Sequence, residues 1–231
     1  MGNGGAVNKI HVAVPELVLG FDTETTGLAT SSERAISYGF CLYRNGSLEW
    51  TDHFFVVPDV PISPGAQNVH GISMETLRER YARGEALSVE MGLIRAVDIL
   101  RRHHDQGAYI CGANVSHFDI DMLHRSYQSK FRKHLKDDRL DPEQLRILDV
   151  ISHDIAMESR AQNPRRRNLT ALSNHYGVRV GGHDALNDAM AACEVFFAQV
   201  AANTNDWTSI RPVVGTMSDD DIAAFHEPTS G

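Results

Sequence analysis

Hydrophobic residues in this chain come first in short bounded runs and only later at helical spacing. Leu17-Val18-Leu19-Gly20-Phe21 is an apolar run of strand length, AISYGFCLY follows at 35–43, and WTDHFFVV at 50–57. Asn45-Gly46 separates the last two and suits a tight hairpin turn, so antiparallel strands are predicted at 17–22, 35–43 and 50–57. PDVPISPGAQNVHGI (58–72) reads as a Pro/Gly loop. Ser73 is placed to cap a helix over 74–82, and a longer helix is predicted over 87–103. AYICGA (108–113) is a short buried strand before a helix over 117–131, and ILDVI (147–151) is a further strand. Asn168 caps a helix that Gly177 ends. The last helix, 185–202, carries Leu186, Met190, Cys193, Phe197 and Val200 as one stripe at spacings of three and four.

Three strands in meander, then strands alternating with helices, predict an α/β domain with a mixed five-stranded sheet flanked by helices. The domain is expected to span 14–203, with 125–146 as a helix extension plus loop. Residues 1–13, Gly/Asn-rich at their start, are expected to form a flexible N-terminus, and 204–231 a C-terminal tail without periodic pattern.

One interruption of the apolar pattern changes the picture. FDTETTGL (21–28) sets Asp22 and Glu24 at alternate positions at the end of the first strand. Residues i and i+2 of a strand share a face, about 6–7 Å apart. Like charges held that close raise each other's pKa unless something positive lies between them, and a divalent cation answers that need. Further hard oxygen ligands must then come from elsewhere in the chain. Asp119, in GANVSHFDIDML (112–123), stands at a predicted helix start after a buried strand. Asp188, in HDALND (183–188), stands in the first turn of the last helix, with His183 in a Gly-Gly loop before it. Taken singly, each Asp also has a plainer use as a helix cap or dipole partner.

Composition bounds this reading without opposing it. Of 231 residues 42 % are hydrophobic and 23 % charged, as in an ordinary soluble protein. No apolar run is long enough to cross a membrane, and the N-terminus lacks a signal-peptide pattern. The Met-Gly start is a poor myristoylation signal because Ala6 stands where Ser or Thr is needed. Cys41, Cys111 and Cys193 lie far apart in apolar stretches and read as reduced core residues of a cytoplasmic protein. The net charge of −8 argues against a polyanionic partner, but its distribution does not. RSYQSKFRKHLKDDR (125–139) carries six Lys/Arg against two Asp, and RAQNPRRRN (160–168) carries four Arg and no acid. Local basic surfaces of that kind suit nucleic acid.

FDTETTGL, NVSHFDIDML and HDALNDA together resemble the three motifs of the DEDDh, or DnaQ-like, 3′–5′ exonucleases, a family that includes the proofreading epsilon subunit of bacterial DNA polymerase III. The resemblance covers roughly 16–202 and extends to AQNVHGIS (66–73) and RRRNLTALSNHYGV (165–178). It implies an RNase H-like fold in which Asp22, Glu24, Asp119 and Asp188 hold two Mg²⁺ or Mn²⁺ ions and His183 is the general base. Asp121 and Asp184 fall beside the motif positions and are read as capping or solvent-facing. Thr25, Gly27 and Leu28 are expected to receive the terminal nucleotide, Gly27 permitting the turn and Leu28 packing on the 3′ base. By the same resemblance His70 contacts the terminal phosphate or sugar, and Asn114 and Phe118 line the cleft, Phe118 serving equally well as core. The chemistry agrees, since two cations and four carboxylates suit in-line phosphodiester hydrolysis and an imidazole takes a proton near neutral pH.

The expected activity is hydrolysis at the 3′ end of single-stranded DNA, releasing nucleoside 5′-monophosphates. Oligoribonuclease-like relatives carry Met at the positions matching Thr23 and Thr25, which favours DNA over RNA as substrate. An inactive nucleic-acid-binding scaffold and a small-molecule phosphatase are the other readings. All five catalytic residues oppose the first, and the basic segments oppose the second. A DNA polymerase or a repair complex is one partner open to it, but the tail shows no Gln-x-x-Leu-x-x-Phe-like box and no long Gln/Gly linker, which favours a freestanding nuclease or repair accessory.

Overall fold

The computed structural model describes residues 14–157, 166–179 and 181–202. The expected N-terminal segment 1–13 and tail 204–231 lie outside the described residues, as does most of the second basic stretch. Strands β1 (Leu17–Thr25), β2 (Ala35–Arg44) and β3 (Ser47–Val57) form the antiparallel meander. Asn45 and Gly46 turn the second hairpin with φ of 51° and 76°, the left-handed pair that matches strand twist. There follow α1 (Pro64–His70), α2 (Met74–Ala82), β4 (Ala86–Ser88), α3 (Val89–Asp105), β5 (Tyr109–Gly112) and α4 (Asp119–Phe131). The chain continues through β6 (Ile147–Asp149), α5 (Val150–Met157), α6 (Leu169–Tyr176) and α7 (Ala185–Ala202).

The sheet has six strands in the order β4-β3-β2-β1-β5-β6, not five. The extra strand, β4, pairs in parallel with the edge of β3 through Phe55↔Ala86 to Val57↔Ser88. Three residues are too few to show a period, and Ser88 does double duty as the N-cap of α3. The Pro/Gly loop also needs correction, because residues 64–70 form α1. Its signals are terminal ones: Ser63 accepts the Ala66 N–H (3.1 Å), Pro64 opens the helix, and Gly71 closes it at φ 72°. No residue of α1 is buried, so there was no apolar stripe to read. The strand expected over 147–151 ends at Asp149, whose carboxylate accepts the Ile151 and Ser152 N–H groups (3.0 and 3.2 Å) and starts α5. Between α4 and β6 the expected loop contains two short 3-10 turns, Leu135–Asp138 and Pro142–Gln144.

Strand alternation sorts the chain into two cores. Leu17, Leu19 and Phe21 of β1 join Tyr38, Phe40, Leu42, Phe54 and Val56 under α3 and α4. Val18, Cys41, Tyr43 and Cys111 face the other way, toward Leu172, Ala189, Cys193 and Phe196. On that second face α7 lies unusually close. A Cβ on Gly20 would sit 2.7 Å from the Ala189 carbonyl oxygen, and one on Gly39 would sit 2.2 Å from the Ala185 carbonyl. Glycine is required at both positions because another backbone passes there. The three cysteines are free and buried, as expected, but they are not separate. Cys41 and Cys111 flank Gly20 in register, and the Cys41 and Cys193 sulfurs are 4.0 Å apart.

The substitution Gly39→Ala should therefore cost about 3 kcal/mol, at the upper end for overpacking, because the obstacle is helix backbone that cannot rotate away. Chemical denaturation would check this, and a variant as stable as the parent would contradict the close approach.

Candidate active site

Strands β1, β5 and β6 are parallel neighbours, so their C-terminal ends open on one edge of the sheet, where α/β folds place ligands. The close crossing of α7 over Gly20 and Gly39 brings its first turn down beside the end of β1. One carboxylate oxygen each of Asp22, Glu24 and Asp188 then lies within 4.8 Å of the others. Among the described residues this is the group of His, Cys, Asp or Glu side chains compact enough to hold a metal ion. Asp119 comes from the opposite layer as the first residue of α4, is only 2 % exposed, and accepts the Thr23 hydroxyl through Oδ1 (2.6 Å). It lies outside the tight trio but close enough for its charge to act on Asp22 and Glu24.

The four acids hold one another away from ionisation. Burial first, then the charges of Asp119, Glu24, Asp188 and Asp184, pushes Asp22 well above the usual carboxylate range. Burial, and after it Asp188, Asp119 and Asp184, pushes Glu24 up to about 8. Burial raises Asp119 to about 7 against the opposing hydrogen bond from Thr23. Asp188 is raised to about 6 by burial, with His183 pulling it down and Asp184 pushing it up. The buried Asp188 Oδ1 has no hydrogen-bond partner. An all-oxygen donor set, crowded, buried and with an unpaired oxygen, fits a hard divalent cation.

His183 is exposed, in a left-handed conformation (φ 52°), directly after Gly182 at φ 67°. It lies close enough for its charge to act on both Asp188 and His70. Asp184 caps α7, accepting the Asn187 N–H through Oδ1 (3.1 Å), and its Oδ2 lies 4.0 Å from His53 Nδ1. Asp121 accepts the Thr30 hydroxyl (2.5 Å) and Arg125 Nε (2.7 Å). Neither of these two acids enters the metal-sized trio.

The turn after β1 is built from its own side chains. The Thr25 hydroxyl donates to the Gly27 carbonyl (2.7 Å), the Thr26 N–H donates to the Arg34 carbonyl (2.8 Å), and the Thr26 hydroxyl donates to Glu33. Thr26 therefore has no backbone N–H to offer a nucleotide. Gly27 does not have the expected reason, since its φ is not positive, and a Cβ there would meet only the movable end of the Glu33 side chain, whose carboxyl carbon lies at 2.8 Å. His70 also departs from expectation. Its Nδ1 accepts the Ile72 N–H (3.0 Å), which leaves Nε2–H to donate to the Thr25 carbonyl (3.2 Å). Both ring nitrogens are committed to backbone, and burial lowers its pKa, so it braces the turn as a neutral ring. Leu28 is 60 % exposed at the rim. Asn114 takes a left-handed turn (φ 63°) ahead of α4, and its carbonyl accepts the Phe118 N–H (3.0 Å). Phe118 packs in part on the α3/α4-side core and is otherwise open.

Two residues of consequence were missed in the sequence. Asp149 caps α5 and stands near enough to Asp119 to add to its charge burden. Its signal was an Asp directly before an apolar helix turn. Arg167 was counted as basic surface, yet it is buried and pairs with the buried Asp154 at 2.6 Å, where the Tyr176 hydroxyl also donates (2.8 Å).

The Exonuclease family model (RNase_T) matches residues 19–196. The DNA polymerase III subunit epsilon of Haemophilus influenzae is 23 % identical over 203 residues, covering 83 % of this chain and 70 % of that protein. A DNA polymerase III of the PolC type from Mycoplasmopsis pulmonis is 32 % identical over 76 residues, 33 % of this chain and 5 % of that one. Among solved structures, E. coli exonuclease I with a dT13 oligonucleotide superposes with a TM-score of 0.62 at 17 % identity, over 82 % of this chain and 41 % of that one. Apo exonuclease I gives 0.61 at 17 % identity, covering 82 % of this chain and 43 % of that one. The chain thus spans about two fifths of the exonuclease I chains it resembles.

Proposed function

This chain belongs to the exonuclease family, as a 3′–5′ exonuclease of the DnaQ-like kind, and from that premise we propose that it removes nucleotides from the 3′ end of single-stranded DNA with two divalent cations, Mg²⁺ or Mn²⁺, releasing nucleoside 5′-monophosphates. The observation that carries the reading is the convergence of half-buried Asp22 with Glu24 and Asp188, with an unpaired Asp188 oxygen and buried Asp119 behind them. These four carboxylates would hold the cations, which supply charge neutralisation at the phosphodiester and a more acidic water. His183 takes the proton of the attacking water. Its exposed position behind a glycine hinge lets it close on the scissile phosphate when a strand is bound. Leu28, and the open part of Phe118, offer apolar surface to the terminal base. Thr25 and His70 hold the turn that carries Leu28.

The choice of DNA rests on the relatives: two are named as subunits or forms of DNA polymerase III, and exonuclease I was crystallised with deoxyoligonucleotides. By the same token a polymerase or repair complex is the proposed partner. Among the described residues, no helix is long and apolar enough to cross a membrane.

The test is 5′-labelled DNA and RNA of equal sequence, incubated with Mg²⁺, Mn²⁺ or EDTA. A metal-dependent ladder shortening from the 3′ end of DNA is expected. In His183→Ala, kcat should fall about 10²- to 10⁴-fold while oligonucleotide binding persists. Shortening of RNA alone would reassign the substrate, and equal activity in EDTA would overturn the metal site.

A further inference from the structure

The basic stretch 125–139 is not a uniform charged face. Lys130 is engaged by Glu90 (2.7 Å) and Asp59 (3.5 Å), and Arg139 faces Asp105 (3.7 Å). Arg125 pairs through Nε with Asp121 (2.7 Å). Arg132 is exposed, and among the described residues no acid pairs with it. It lines an open recess of about 410 Å³ with Ser31, Arg125, Gln128, Ser129 and His134. None of the six is acidic, on a protein whose net charge is −8.

Two connections tie this recess to the acids. Arg125, Gln128, Ser129 and Arg132 recur at spacings of three and four along α4, whose first residue is Asp119. At about 1.5 Å per residue the recess lies roughly 9–20 Å along the helix from that carboxylate. Ser31 belongs to the loop that begins with the Thr-Gly-Leu turn, and the Thr30 hydroxyl clamps that loop to Asp121 on α4 (2.5 Å). The recess therefore lies on the outer side of α4, on the face of Asp121 and roughly opposite that of Asp119, beside the loop that follows the turn at the end of β1. Arg132 is also held at the C-cap of α4 with φ 58°, where glycine or asparagine is the usual residue.

We propose that this recess binds the backbone phosphates of the substrate strand on the 5′ side of the nucleotide being removed, which rests on the exonuclease reading above. The Ser31 and Ser129 hydroxyls, the Gln128 amide and the Arg132 guanidinium, with the Arg125 donors that Asp121 does not take, suit phosphate oxygens in any sequence. The site lets an acidic protein retain a strand between cleavage steps.

Arg132→Gly is the discriminating variant, since glycine accepts the left-handed cap and the exposed side chain with its guanidinium is removed without backbone strain. The full chain, Arg132→Gly and Arg132→Lys would be compared in two assays. The first is the ratio of kcat/KM for dT12 to that for the p-nitrophenyl ester of thymidine 5′-phosphate, which reaches no further than the catalytic centre. The second is the affinity of fluorescein-labelled dT12 in EDTA across a salt series. Arg132→Gly should lower the ratio and the dT12 affinity about tenfold and cut the salt slope by about one, with Arg132→Lys recovering most of the slope. An unchanged ratio and slope would overturn the subsite while leaving the exonuclease standing. Loss of turnover on both substrates by the unaltered protein would overturn the exonuclease, and the EDTA titration would still read the subsite. Binding of inorganic phosphate or dTMP as tight as that of dT12 would mark a mononucleotide site and overturn the strand proposal.

Discussion

Asp22→Asn is expected to reduce nuclease activity at least about 10³-fold and, in EDTA, to raise the melting temperature. The first effect follows from removing one of the carboxylates that would hold the cations, whose charge stabilisation amounts to several kcal/mol and hence several decades of rate. The second follows from the metal-free electrostatics. Asp22 is raised by burial and by Asp119, Glu24, Asp188 and Asp184, so its carboxylate is a source of repulsion as long as no cation is bound. An amide of the same shape removes that repulsion. For a domain of this size each kcal/mol recovered shifts the midpoint by about 2–4 °C. Activity assays and thermal denaturation of the same preparation check both at once. An active variant would remove Asp22 from the centre. An inactive variant with a lowered midpoint would mean that Asp22 supports the fold instead.

The second large effect is a pH dependence of stability that bound metal opposes. Glu24 rises from an ordinary value of 4.5 to about 8, and Asp119 from 3.8 to about 7. As pH rises through 6.5 to 8 the unfolded chain has already released these protons, while the folded protein still holds them. The folded state thus binds more protons over this window, and its stability falls as pH rises. Below that window His70, His103 and His153, each lowered by burial, work the other way, because the unfolded chain takes up their protons first as pH falls. The metal-free protein should therefore melt at a lower temperature at pH 8 than at pH 6.5, by about 5 °C or more. Mg²⁺ or Mn²⁺ competes with protons for the same oxygens, so its stabilisation should be greatest at pH 8. Equal slopes with and without metal would show that the carboxylates do not share a cation site.

The motif residues and the long elements were legible because they obey short-range rules. Asp22 and Glu24 share a face through strand alternation alone, and the helices at 74–82 and 185–202 carried their caps or periods openly. The short elements were not. Helix α1 had caps but no buried side chain, β4 was three residues long, and α5 followed an Asp whose capping role competed with a strand-like apolar run. Charge was the least legible property. Arg167 and Arg132 look alike in a basic stretch, yet one is buried on Asp154 and the other lines an open recess.

The sequence by itself determined that two acids would share one strand face, that two more would stand at helix starts, and that an α/β sheet would carry them. These depend on periods of two and of three to four, which are properties of neighbouring residues. Tertiary structure alone decided that α7 would press its backbone against Gly20 and Gly39 and so deliver Asp188 to Asp22 and Glu24. It also decided that Thr23 would hold Asp119 from the opposite face, and that His70 would spend both ring nitrogens on the turn. The cause is that burial and pairing join residues some 45 to 165 positions apart. No local pattern encodes which of several like residues will be desolvated, paired or left free.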